Sequence, residues 1–115
     1  MTAGWLTLIF IADGLIFVAA GIPLFQRRIG PNRWYGFRVP KTMSDEGIWF
    51  DANETMGKDL IISGAVMILA AITIHLGCAS LLRVDQLAYL NVGVMVAALG
   101  VSIIHGFWEL RHLGD

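Results

Sequence analysis

An all-α integral membrane protein with three transmembrane helices is the fold this chain predicts, and three observations predict it. Apolar residues make up 57% of the 115 residues and charged residues only 15%, far from the balance of a soluble domain. Three apolar stretches divide the sequence, each about the ~20 residues a helix needs to cross the hydrocarbon core. The cations are gathered rather than scattered: six of the eight Lys and Arg (Arg27, Arg28, Arg33, Arg38, Lys41, Lys58) fall between the first and second stretches. The length allows one domain, 1–115. A net charge of -1 with no basic array gives no footprint for nucleic acid as a partner.

The first span runs from Trp5 to Phe25 and is interrupted only by Asp13. Pro23 marks a kink or stop near its end. No basic residue precedes this span and Arg27 and Arg28 follow it, which reads as a retained stop-transfer anchor rather than a cleaved signal peptide. The connecting segment, 26–59, opens with a turn-rich Ile29-Gly30-Pro31-Asn32, and Val39 before Pro40 should be extended. Thr42 and Asp45 then form a T-x-x-D capping pattern, with Asp45 and Glu46 placing negative charge in a helix's first turn. Ile48, Trp49, Ala52 and Met56 recur at helical spacing. They predict an amphipathic helix between the first and second spans, lying along the inner membrane surface or packed beneath the bundle. It would continue through Lys58 into the second span, with Gly57 as the place for a bend.

The second span runs from Leu60 to Leu82, and the third from Leu87 to Trp108, joined by a tight turn around Ser80 to Gln86. Gly93, Ala97 and Gly100 offer small residues for a close helix crossing. Trp5 and Tyr89 fall near one interface and Trp108 near the other, where amphipathic rings settle. Orientation follows from the cations. The first connection carries six, the second only Arg83, and the N-terminus none. The positive-inside rule therefore places the N-terminus outside, with the large loop, Arg111 and the C-terminus in the cytoplasm.

No arrangement of catalytic residues stands out: there is no phosphate-binding glycine loop, no H-E-x-x-H, and no nucleophile beside a base. No enzyme activity, cofactor or metal is expected. Cys78, the only cysteine, reads as a small apolar side chain near a helix end. Asn53-Glu54-Thr55 fits the glycosylation pattern, but its inferred cytoplasmic side argues against use.

Arg33 and Arg38 admit three readings: contact with anionic headgroups at ~1 kcal/mol each, ion pairs with Asp45, Glu46, Asp51 or Glu54, or capture of an anionic ligand or partner. Trp34 and Tyr35 suit interfacial anchoring or ligand stacking. Inside the membrane, Asp13 near the middle of its span costs at least ~2.5 kcal/mol unless neutral or paired. His75 and Asn91 fall in the same half of the bilayer, so a polar cluster of Asp13, His75 and Asn91 is geometrically open. It would serve proton-coupled transport, or else simply specify packing. His105 lies near the inner end of the third span, within reach of Asp59 or Glu109. Three spans seldom enclose a pathway alone, so transport calls for a homo- or hetero-oligomer.

The run Asn32-Arg33-Trp34-Tyr35-Gly36-Phe37-Arg38, followed by Pro40-Lys41-Thr42, Asp45-Glu46, Trp49 and Asn53, resembles the signature region of the SdpI family of small bacterial membrane proteins. The resemblance extends from about Pro23 to the end of the second span. It implies a bacterial cytoplasmic-membrane protein of the short, three-span kind. It also implies a non-enzymatic role in immunity to a secreted antimicrobial peptide toxin, in signalling through a bound cytoplasmic regulator, or in both. By matching position, Asn32, Arg33, Trp34, Tyr35, Gly36, Arg38, Thr42, Trp49 and Asn53 are the residues to test. A small proton-coupled transporter or channel using Asp13, and a structural accessory subunit, are the alternatives. In every reading the lipid bilayer is a partner.

Overall fold

The computed structural model describes residues 1–113. It is all-helical among those residues: α1 (Ala3–Phe25), α2 (Pro40–Ser44), α3 (Glu46–Cys78) and α4 (Val84–Leu110). Three of these, α1, α3 and α4, are long and apolar enough to cross a membrane, which makes this a multi-pass membrane protein. They run up, down and up in an elongated body of 52 × 22 × 19 Å. Leu8, Leu15, Ile16, Leu69, Val96, Val101 and Ile104 point outward, an apolar exterior that suits lipid rather than water.

Local chemistry sets the helix ends. Thr2 caps α1, its hydroxyl oxygen accepting the Trp5 N–H at 3.3 Å. At the other end the Arg28 N–H reaches the Pro23 carbonyl and the Arg27 N–H the Leu24 carbonyl, a Schellman closure. Its left-handed residue is Arg27, at φ 59°, where glycine is usual. Asp45, not Thr42, caps α3: its carboxylate accepts the Ile48 N–H at 3.0 Å. Thr42 instead lies inside the short α2, which corrects the T-x-x-D expectation. Gln86 closes the start of α4 by accepting the Arg83 N–H at 3.0 Å.

The segment after Asp45 runs through Lys58 directly into the second span, as expected, with no break at Gly57. Residues 46–57 are the first turns of α3, which is 33 residues long in all, roughly 50 Å. That length exceeds a bilayer crossing, so the N-terminal turns of α3 project past the end of α1. Trp49 and Ala52 on this projection are buried, covered by the 29–42 connection. The second spanning helix ends at Cys78, short of the expected Leu82.

The tightest packing is between α1 and α3. Gly14 faces Gly64 and Gly21 faces Gly57, so two glycine pairs, seven residues apart on each helix, let the antiparallel backbones touch. A Cβ on Gly14 would sit 2.7 Å from the Gly64 carbonyl oxygen and 2.6 Å from Ile68. The small residues expected to make a close crossing, Gly93 and Gly100, have nothing within 4 Å of a would-be Cβ, and Ala97 is exposed. The α4 helix leans chiefly on α3, with Ser63 and Ser102 hydroxyls 2.8 Å apart. A small core of Leu6, Phe10, Ala71 and Leu87 joins all three helices near the start of α1.

Candidate functional site

The densest polar chemistry lies where the 26–45 connection folds over the projecting turns of α3. Asn32 organises its first part. Its side-chain oxygen accepts the N–H groups of Trp34 (2.8 Å) and Tyr35 (2.7 Å), while its amide donates to the carbonyls of Gly30 (2.9 Å) and Tyr35 (3.0 Å). Gly36 follows at φ +117°. A Cβ there would be strained and would sit 2.7 Å from the Asn53 side-chain oxygen and 3.0 Å from the Trp49 ring. Only glycine lets the chain pass this close to α3.

Phe37 is the point at which the loop is tied down. Its N–H donates to the Asn53 side-chain oxygen at 2.5 Å. Its carbonyl accepts from the Thr42 hydroxyl at 2.8 Å and, more weakly, from the Asn53 amide at 3.4 Å. The Asn53 amide also reaches the Trp49 carbonyl at 3.0 Å. Thr42 in turn accepts the Val39 N–H at 3.0 Å. Trp49 donates its indole N–H to the Ile29 carbonyl at 2.8 Å. Thr42, Trp49 and Asn53 are 0%, 0% and 1% exposed. The Phe37 ring meets Phe107 of α4 edge-on, centroids 5.1 Å apart.

A second tie runs from Arg27. Its guanidinium pairs with Asp51 at 2.9 Å and Glu54 at 2.7 Å and lies over the Phe50 ring at 5.3 Å. Hydrogen bonds to Glu54 and then Asp51 push its pKa further above the ordinary arginine value, so the charge is permanent. Of the pairings open to Arg33 and Arg38, those with Asp51 and Glu54 are made by Arg27 instead. Arg38 donates instead to the Arg33 carbonyl. Among the described residues Arg28, Arg33, Arg38 and Lys41 have no carboxylate partner. Trp34 is 88% exposed. Tyr35 is half-buried, which raises its pKa and keeps the phenol neutral.

The matched positions thus divide physically. Asn32, Gly36, Thr42, Trp49 and Asn53 spend their polar atoms, or their lack of a side chain, on the loop's own backbone. Arg33, Trp34 and Arg38 are exposed around it. Arg27 was not singled out from sequence. Its partners lie on another helix with no fixed spacing to it, and only the left-handed backbone turns the side chain back toward them.

Among the described residues no hydrogen bond joins Asp13, His75 and Asn91 to one another. His75 Nδ1 lies 3.1 Å from the Thr7 hydroxyl, and the Asn91 amide donates to its own helix at Leu87, 2.9 Å away. Asp13, six residues along α1 from Thr7 and about 9 Å farther down the axis, has no side-chain hydrogen bond among the described residues. His105 does meet both expected carboxylates, Asp59 at 2.6 Å and Glu109 at 3.5 Å. No group of three or more His, Cys, Asp or Glu side chains arranged to hold a metal ion is found among the described residues.

Compared with known proteins, the chain matches the family model described as the SdpI/YfhL protein family over residues 28–106. That range begins just after Arg27 and takes in the loop, its tie to Asn53, the carboxylates Asp51 and Glu54 that Arg27 meets, and the Phe37-facing end of α4 up to Gly106. No curated protein and no solved structure matches.

Proposed function

The chain belongs to the SdpI/YfhL protein family, and on that premise we propose that it is a non-enzymatic recognition protein of the bacterial cytoplasmic membrane, acting in immunity to a peptide toxin or in signalling through a bound regulator. The observation that carries this reading is the division of labour in the loop. Asn32, with the buried Thr42, Trp49 and Asn53, fixes the backbone, and the fixed backbone holds Arg33 and Trp34 outward. An ordered surface bearing an unpaired arginine beside an exposed tryptophan is the composition of a binding hot spot. Its charge favours an acidic partner segment.

With the N-terminus outside, as the cation bias favours, this surface faces the cytoplasm. A secreted toxin would first meet the opposite end. The surface then suits an intracellular regulator, or a toxin that has already crossed, better than capture outside the cell. Deletion of the gene should sensitise cells to one secreted peptide. Paired Arg33→Ala and Trp34→Ala changes should remove protection while protein abundance stays level. Unchanged protection by that variant refutes the assignment of the surface.

A further inference from the structure

A cleft opens between the loop, α3 and α4 on the side of the bundle where Phe37 meets Phe107. It has a volume of about 420 Å³, within the ~300–1,000 Å³ range of small-ligand sites. Phe37, Met56, Leu60, Leu99, Ile103 and Phe107 line it, and Arg38 is the only charged side chain among the described lining residues. Ser102 is also on the wall, but its hydroxyl is engaged by Ser63. The lining is graded along the helix axes. Arg38, Met56 and Phe107 are at the loop end, whereas Leu60 and Leu99 lie about 6 and 12 Å deeper, counted from Met56 and Phe107.

Arg38 is poised rather than spent. One guanidinium nitrogen donates to the Arg33 carbonyl. Its remaining N–H donors have no carboxylate, and a guanidinium fork matches a phosphate with two parallel bonds. An apolar trough entered past one cation, at the edge of a membrane domain, is complementary to a molecule with an anionic head and a long apolar tail.

We propose that this cleft is a binding site for an anionic phospholipid, one acyl chain lying along Leu60, Leu99 and Ile103 with the phosphate on Arg38. Bilayer lipid is the only amphiphile of that chemistry present at high concentration at this depth, and basic pockets between spanning helices at the cytoplasmic face are suited to such headgroups. The site is distinct from the outward Arg33–Trp34 surface and does not require a protein partner.

The test is native mass spectrometry of the full chain released from nanodiscs of phosphatidylcholine with or without phosphatidylglycerol. Soluble glycerophosphoglycerol and inorganic phosphate serve as tail-free probes. The wild type should retain one phosphatidylglycerol in preference to phosphatidylcholine and neither tail-free probe. Arg38→Gln should lower that preference roughly fivefold. Ile103→Trp, at an exposed position on the cleft wall, should displace the chain without disturbing the helices, as checked by circular dichroism. Lipid retention unchanged in both variants overturns the proposal. So does binding of the tail-free probes as tight as that of the lipid, or a peptide found in place of lipid.

Discussion

Replacing Asn53 with Leu removes the loop's central fastener while nearly conserving volume, and its consequence can be worked out atom by atom. The Phe37 N–H loses its partner, whereas the Phe37 carbonyl keeps the Thr42 hydroxyl at 2.8 Å. The Trp49 carbonyl loses only an extra bond from a side chain. One orphaned, partly buried donor costs about 1–3 kcal/mol. At about 2 kcal/mol the open form of the loop becomes roughly 30-fold more populated. Thr42→Val, which spares the Phe37 N–H, should cost about 1 kcal/mol. Together the two changes strip both polar groups of Phe37, so the double variant should exceed the sum of the singles by about 0.5–3 kcal/mol. Trypsin reports this directly, because Arg33, Arg38 and Lys41 all sit in the loop. Cleavage at these sites in mild detergent follows the open population when closing is fast. Exchange of the Phe37 amide should accelerate in parallel. Cleavage and exchange within twofold of wild type in Asn53→Leu, with the helices intact, would refute the assignment of Asn53 as the fastener. Strict additivity in the double variant would refute the shared role of Phe37.

Three further outcomes follow from the packing and the polar ties. Gly14→Ala should destabilise the fold by about 1–3 kcal/mol through overpacking against Gly64, while Gly100→Ala stays within about 0.5 kcal/mol; thermal unfolding in detergent separates them. Arg27→Ala loses two half-exposed ion pairs worth about 0.2–1 kcal/mol each, and Arg27→Gly should be about 1 kcal/mol more stable than Arg27→Ala because φ 59° suits glycine; chemical denaturation of the two variants gives the comparison. Asp13→Leu should improve insertion of the isolated first span by about 3 kcal/mol in a translocon assay and leave protection intact, whereas loss of function would restore a working role for Asp13.

Hydropathy and length were enough for the spans, because a lipid exterior demands long unbroken apolar runs and little else imitates them. The close crossing was harder. Gly14, Gly21, Gly57 and Gly64 carry the signal in their shared spacing of seven, but only an antiparallel register brings Gly14 to Gly64 and Gly21 to Gly57. Gly93 and Gly100 share that spacing and face open space. The capping pattern misled for a related reason. Thr42 and Asp45 both fit a helix start, yet Pro40 had already begun a short helix, leaving Thr42 to bond backward to Phe37 and Val39. His105 was easier, since Glu109 lies one turn away on the same helix face and Asp59 sits at the matching depth of α3. Tertiary bonds such as Trp49 to Ile29 and Asn53 to Phe37 have no periodicity to betray them. For those positions the motif identified the residues, and the fold shows that their polar atoms hold the loop.

On the function proposed above, the motif residues that tie the loop down hold Arg33 and Trp34 in place for a partner. The most direct test is survival of a deletion strain complemented with the Arg33→Ala/Trp34→Ala double variant and challenged with the secreted peptide to which deletion sensitises. Protein level and trypsin resistance of the loop are measured on the same cultures. Survival should fall to the deletion level while the protein remains abundant and its loop folded. Full survival with that surface removed, or a deletion strain no more sensitive than its parent to any peptide its neighbours secrete, would contradict that function.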